Sequence, residues 1–195
     1  MKNTIVIAAD FINEIVDEKG AFGAFNAERV KNCNTMQNAN KVIAWARKNG
    51  VKVAHVKVGF SKDYHECPEG SPIFSQAPKY KALQLGSWAT EFHKDIDYQE
   101  DDIVITKHRI SFVYATDCEA ILRANKIENV IVFGVSTEQV VELSVRELHD
   151  RDYSVTVISD ACNAATEEGH EKSLNSLQKV AKVVTAEEFL SNINK

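Results

Sequence analysis

Glycine and proline are scarce in this sequence, and basic residues do not outnumber acidic ones. The 195 residues include eight glycines and three prolines, and no repeat or low-complexity stretch suggests a linker. We therefore expect one domain over residues 1–195, a length at which a single domain buries a substantial core. The formal net charge of −5 leaves no basic surface of the kind that binds nucleic acid, so we expect no nucleic-acid partner.

Long apolar runs and closely spaced cysteines are also missing. No apolar run approaches the roughly 20 residues that cross a bilayer, and the N-terminus enters a short apolar strand without a cleavage site. We therefore expect neither a membrane segment nor a signal peptide. Cys33, Cys67, Cys118 and Cys162 lie far apart, with no CxxC motif. Scattered cysteines of this kind are typical of reduced thiols in a cytoplasmic protein rather than of disulfides or a zinc site.

Apolar runs typical of strands alternate with segments of helical periodicity. We expect strands at 4–9, 51–58, 102–106, 129–135, 154–159 and 182–184, and helices at 26–49, 116–125, 137–150 and 167–181. Thr185 and Glu188 form a capping box before a last helix. Apolar strands that alternate with amphipathic helices predict an α/β fold: a three-layer α/β/α, doubly wound, mostly parallel six-stranded sheet.

Residues 59–100 depart from this alternation. They contain all three prolines and mixed polarity, with a short helix expected near 89–93. A loop this long in a compact domain usually shapes a binding site or an interface. We expect its aromatic side chains to line a pocket or to be buried between subunits.

Three expected strands end at residues suited to chemistry. Asp10 follows the first strand, Lys107 ends the third, and the fourth runs into a tight turn at 134–140. Ligands of doubly wound folds bind beyond the carboxyl ends of the strands, where an aspartate and a lysine can exchange protons or bind an anion. Each residue also has a structural interpretation, because a strand-end aspartate often caps a turn and a lysine often forms a plain ion pair.

Taken together, these segments resemble the isochorismatase-like (cysteine hydrolase) family. Asp10, Phe11, Asn13 and Glu14 match a D-[MF]-x-N-[DE] stretch of that family. Lys107, Arg109, Ser111 and Phe112 match its K-x-R-x-S-x-F stretch, and Gly134, Val135, Thr137 and Val141 match its G-V-x-T-x-x-C-V turn. Gly86-Ser87-Trp88 and Asp160-Ala161-Cys162 are similar to two further family segments. The resemblance covers essentially the whole chain.

The resemblance also identifies a departure at the catalytic position. The family triad is Asp, Lys and Cys, and its cysteine falls on Val140. A valine cannot attack a carbonyl, so thiol-dependent amidase chemistry lacks its nucleophile. The Asp-x-His of the metal-dependent branch is absent after the second strand, and we expect no metal and no cofactor. The candidate site therefore consists of Asp10, Lys107 and the 134–140 turn. Its candidate lining residues are Phe11, Trp88, Arg109, Val135, Ser136 and Thr137.

Three functions remain open at this point. The first is hydrolysis of a small molecule without a cysteine, because isochorismatases of this family cleave a vinyl ether and need no thiol; Asp10 would be the acid–base group, assisted by Lys107. The second is a catalytically silent relative that binds a small molecule or forms oligomers and keeps the Asp–Lys pair as a structural ion pair. The third, placed last, is thiol chemistry at Cys118 or Cys162. The resemblance further implies a homo-oligomer.

Overall fold

The computed structural model describes residues 3–193, which form six strands and eight α-helices. The strands are β1 (Thr4–Ala9), β2 (Lys52–Val58), β3 (Ile103–Lys107), β4 (Asn129–Gly134), β5 (Ser154–Ile158) and β6 (Lys182–Val184). The helices are α1 (Asn13–Val16), α2 (Gly23–Asn32), α3 (Thr35–Lys48), α4 (Ala77–Tyr80), α5 (Cys118–Ala124), α6 (Glu142–His149), α7 (Glu167–Leu177) and α8 (Ala186–Ile193). Within this part of the chain, no helix has the length and apolar character that crossing a bilayer requires.

The strands form one sheet in the order β3-β2-β1-β4-β5-β6, and every neighbouring pair is parallel. The doubly wound α/β fold predicted from the sequence is therefore confirmed. The central strand, β1, is buried along its whole length, as expected of a strand covered on both faces. The order of strands reverses between β1 and β4, so ligands of this fold are expected beyond the carboxyl ends of those strands.

Two helices, not one, cover residues 26–49, so the prediction of a single continuous helix was wrong. The α2 helix ends at Asn32 and α3 begins at Thr35, because Asn34 has left-handed backbone dihedrals (φ 53°). Both helices bury an apolar stripe, Val30 from α2 and Met36 and Val42 from α3. The helical periodicity therefore continues across the interruption, and periodicity alone does not reveal it.

Residues 59–102 connect β2 to β3 and contain little regular structure. They include α4 and a 3₁₀ turn at Trp88–Thr90, where a short helix near 89–93 was expected. Part of this connection packs with residues next to β1 and β2 into a second apolar cluster. Its buried members are Ile12, Val58, Phe60, Phe74, Ala77, Ala82 and Leu83. The connection is thus held against the carboxyl end of the sheet.

Two further predictions concern helix ends. The helix expected at 137–150 begins with a π-helical turn, Thr137–Val141, before α6. The capping box at α8 is confirmed, since Thr185 N donates to Glu188 Oε2 (2.8 Å) and Glu188 N donates to Thr185 Oγ1 (3.2 Å).

Candidate active site

Asp10 and Lys107 meet at the carboxyl end of the sheet. Asp10 directly follows β1 and has φ 60°, a left-handed conformation that aspartate tolerates better than most residues. Lys107 is the last residue of β3, and β2 lies between the two strands. Lys107 Nζ lies 2.8 Å from Asp10 Oδ2, and the two side chains are only 2% and 3% exposed. The structure therefore brings together the two residues that the sequence identified as catalytic candidates.

The two oxygens of Asp10 have different surroundings. Oδ2 is paired with Lys107, which also donates to the carbonyl of Arg109 (3.1 Å). Oδ1 is also buried. Burial raises the pKa of the Asp10 carboxyl above its ordinary value, and the nearby ammonium of Lys107, together with a hydrogen bond from the Val58 backbone N–H, opposes this rise without cancelling it. A carboxyl group of this kind is suited to give and take a proton.

The end of β4 contributes the third part of the site. A Cβ on Gly134 would lie 2.3 Å from the carbonyl oxygen of Ala9, so glycine is required where β4 passes the end of β1. A cis peptide joins Val135 to Ser136, and the π-helical turn follows. Val140, which lies in that turn, is buried.

These strand ends open onto a small pocket of about 100 Å³. Its wall is largely apolar, with polar groups from a few side chains only. The apolar lining residues are Ile15, Phe22, Val58, Ile73, Phe74, Leu83, Ile110, Val135 and Val140, and the polar ones are Asp10, Asn26, Lys107, Ser136 and Gln139. Apolar pockets with a few convergent polar groups are typical of small-molecule sites.

Five of the nine residues proposed from the sequence line this pocket: Asp10, Lys107, Val135, Ser136 and Val140. The other four lie elsewhere. Phe11 packs in the core against Phe133, with ring centroids 6.3 Å apart, and Thr137 is buried with its hydroxyl 2.8 Å from His170 Nδ1. Arg109 donates to the carbonyl of Glu66 (2.8 Å), and Trp88 is 43% exposed. Any role of these four in binding stays a prediction.

Sequence reasoning missed Glu14 as a residue that shapes the site. Its side chain is buried, Oε1 accepts a hydrogen bond from Ala21 N (2.6 Å), and Oε2 accepts one from Leu83 N (3.1 Å). Leu83 and Phe22, the neighbour of Ala21, both line the pocket. Glu14 thus connects the segments that contain Phe22 and Leu83, two pocket-lining residues that are 61 positions apart in the sequence (83 − 22). The motif stretch contained Glu14, but nothing nearby in the sequence indicated its partners.

Two further expectations from the sequence concern the cysteines and metal binding. Cys118 and Cys162 are buried, burial raises the pKa of each thiol to about 12, and neither lines the pocket. Across residues 3–193, no three His, Cys, Asp or Glu side chains are grouped to hold a metal ion. The expectation of a metal-free site stays a prediction.

A doubly wound α/β fold with a buried Asp–Lys pair facing a small apolar pocket is typical of proteins that act on small molecules. Within that class, residues 4–188 match the Isochorismatase domain, and the chain belongs to the isochorismatase family.

Relatives in sequence agree with this assignment. The isochorismatase family protein YecD of Escherichia coli O157:H7 is 30% identical over 191 residues, which cover 97% of this chain and 96% of YecD. The ureidoacrylate amidohydrolase RutB of Rhizobium rhizogenes is 27% identical over 170 residues, covering 81% of this chain and 69% of RutB. Among solved structures, a cysteine hydrolase from Pseudomonas syringae (22% identity, 98% and 92% coverage) has a TM-score of 0.87. The N-carbamoylsarcosine amidase of Thermoplasma acidophilum (23% identity, 95% and 97% coverage) has a TM-score of 0.75. These structures share the fold.

Proposed function

We propose that this protein hydrolyses a small molecule without a cysteine nucleophile, with Asp10 as the acid–base group and Lys107 as its partner. The observation that carries the proposal is the buried pair itself, with 2.8 Å between Lys107 Nζ and Asp10 Oδ2, because both residues also line the pocket. Hydrolases among the relatives, including RutB, support a hydrolytic reaction.

The case against a thiol mechanism comes from Val140 and the two buried cysteines. By the family resemblance, Val140 occupies the position of the catalytic cysteine, and its side chain lines the pocket beside Asp10 and Lys107. Cys118 and Cys162 do not line it, and thiols whose pKa is about 12 hold almost no thiolate near neutral pH. Water is then the attacking group.

Cleavage of an enol ether illustrates how this pair would work. Asp10, in its acid form, gives its proton to the enol carbon, and water adds to the oxocarbenium carbon that results. The proton released by that water returns to Asp10, and the hemiketal collapses to a ketone and an alcohol. Lys107 stabilises the carboxylate that exists between the two proton transfers.

The first prediction tests Asp10 directly. Purified protein is assayed on small enol ethers, esters and amides, each in a neutral and a carboxylate-bearing form. We expect hydrolysis of at least one substrate by the wild type and a loss of about 100-fold or more in Asp10→Asn, the usual range for an acid–base group. Iodoacetamide should leave the activity intact.

The matched control is Asp63→Asn, the same chemical change at an exposed position in the 59–102 connection. Each variant is assayed well below its own melting temperature, because Asp10→Asn leaves Lys107 buried without its charge partner. Full activity in Asp10→Asn, or loss on alkylation, contradicts the proposal. Binding of a ligand with no turnover on the whole panel would favour the silent relative.

A further inference from the structure

We infer that His170, which does not line the pocket, is a positioning residue of the candidate site, because it holds the turn after β4 in place through Thr137. The inference rests on the proposed function only for the location of the site. It follows from the contacts that connect this turn to the start of α7.

Thr137 connects the turn to a single segment of the chain. Its backbone N–H donates to the carbonyl of Asn163 (2.8 Å), its hydroxyl lies 2.8 Å from His170 Nδ1, and its carbonyl accepts a hydrogen bond from Ser173 Oγ (3.3 Å). All three partners belong to residues 163–173, which follow β5 and include the first part of α7. The backbone N–H, the carbonyl and the hydroxyl of Thr137 are thus all fixed from one side.

The neighbours of Thr137 in the turn are part of the pocket. Ser136 precedes it and Val140 follows it, and both line the pocket, whereas Thr137 does not line it and is fully buried. Residues Thr137–Val141 form a π-helical turn, a conformation that is rare and is frequent at functional sites. A shift of Thr137 would therefore move two pocket-lining residues, although His170 itself lies outside the pocket.

His170 is the partner of Thr137 whose side chain makes the difference. A buried hydroxyl that loses its partner is destabilising, so the ring nitrogen stabilises the turn in the arrangement that the structure shows. The contact with Asn163 uses a backbone carbonyl, and Ser173 Oγ also forms a hydrogen bond with Glu142. A substitution of His170 therefore tests the contact with the Thr137 hydroxyl alone.

The His170 ring is neutral at neutral pH. Burial lowers the pKa of His170 below its ordinary value, so the ring binds no proton near pH 7. The charged groups that act on the ring are Arg29 on α2, Glu138 on the turn, and Glu167 and Glu171 on α7. A neutral amide can therefore replace the ring in its contact with Thr137 without a change of charge.

The first experiment compares His170→Leu with His170→Asn. The two side chains have nearly the same shape, but only asparagine places a polar atom near the position of Nδ1. Hydrogen exchange followed by mass spectrometry should be at least about tenfold faster than in wild type for residues 134–141 of His170→Leu, with β1 unchanged. His170→Asn should stay within about threefold of wild type. A role in helix stability alone predicts the reverse order, because leucine is the better helix former in α7.

The matched controls are Lys172→Leu and Lys172→Asn, the same two changes at an exposed position of α7. Both should leave exchange in 134–141 unchanged.

A reporter thiol tests whether the pocket side of the turn responds. In Val140→Cys, alkylation by iodoacetamide at about pH 9 should become at least about threefold faster when His170→Leu is added, because position 140 is buried in wild type (2% exposed) and a loosened turn exposes it. His170→Asn should not have this effect. In Thr137→Val, which removes the hydroxyl, the two substitutions of His170 should give equal exchange and equal alkylation.

The inference is overturned when His170→Leu leaves exchange in 134–141 or the alkylation rate unchanged, when β1 exchanges faster to the same degree, or when the two substitutions still differ in Thr137→Val. Where His170→Leu does not fold, Thr137→Val and Thr137→Ser replace the comparison, because serine keeps the hydroxyl. None of these measurements uses a substrate. Absence of turnover on the panel would therefore remove the proposed hydrolysis and leave the positioning role of His170 standing, and the opposite result is equally distinct.

Discussion

Two buried ionisable residues, Asp10 and His55, belong to neighbouring parts of the sheet: Asp10 directly follows β1, and His55 lies within β2. Asp10 has an ion-pair partner at 2.8 Å, whereas the Nε2 of the fully buried His55 is 3.3 Å from Asp102 Oδ2 and the ring lies between Phe92 and Tyr98. Burial favours the neutral form of both: it raises the pKa of Asp10 and lowers that of His55 to about 4. The same physical cause thus moves the two pKa values in opposite directions, and it makes His55 sensitive to acid.

The lowered pKa of His55 leads to a prediction of how the stability of the protein depends on pH. Its folded pKa of about 4 is below the value of about 6.5 in the unfolded chain, so between these values the unfolded chain binds a proton that the folded protein does not. The free energy of unfolding should therefore fall as the pH falls from 6.5 towards 4, by roughly 3 kcal/mol from this group, and no further below 4.

Urea denaturation at pH values from 5 to 8 measures this effect in wild type and in His55→Phe. Asp102 and Arg47, which face His55, keep their charge over that range and are common to both proteins. Below pH 6.5 we expect the free energy of unfolding of His55→Phe to change less steeply with pH than that of the wild type. The difference in slope should correspond to about one bound proton. Parallel curves would show that His55 does not titrate in this way.

Val140 carries a second prediction at the residue scale. A thiol introduced by Val140→Cys would line the pocket with Lys107, whose ammonium stabilises a thiolate. We expect the pH midpoint of its alkylation, followed by mass spectrometry, to lie below the value of about 8.5 for a free cysteine. Adding Lys107→Met should move the midpoint back up. A midpoint at or above 8.5 in the single variant would argue that Val140 does not occupy a nucleophile position.

At the scale of elements, most strands and helices follow from periodicity, while their interruptions do not. Strands β1 to β6 lie within about one residue of their predicted positions, because apolar runs of that length have few alternatives in an α/β protein. The break between α2 and α3 and the π-helical turn before α6 depend on backbone angles at single residues. Those angles leave the spacing of apolar side chains nearly unchanged.

The break at Asn34 gives a prediction about α2 and α3. A β-branched residue is disfavoured in the left-handed conformation of this position (φ 53°), so Asn34→Val should lower the free energy of unfolding by about 1–2 kcal/mol. Asn34→Gly should leave stability unchanged or slightly higher. Asn32→Val, at the helical end of α2, is the matched control and should lower stability by a few tenths of a kcal/mol, about the difference in helix propensity. Equal losses at the two positions would show that backbone conformation is not the cause.

At the scale of the whole molecule, the sequence predicts the fold and part of the site. The meeting of Asp10 and Lys107 in the candidate site could be predicted, because parallel strands bring their carboxyl ends to one edge of the sheet. The pocket walls that Ile73, Phe74 and Leu83 form could not be predicted, because they depend on how the 59–102 connection packs. Phe11 is the opposite case. It is next to Asp10 in the sequence and was expected to line the site, but it packs in the core against Phe133.

The position of β1 in the sheet has a consequence for the synthesis of this protein. Its pairing with β2 becomes possible once residue 58 has left the ribosome, but the partner for its other edge, β4, ends only at residue 134. At 5–20 residues per second, that edge stays open for roughly 4–15 s. An unpaired strand that is apolar from Ile5 to Ala9 is a template for aggregation, so we expect newly made chains to be most prone to aggregate during this interval.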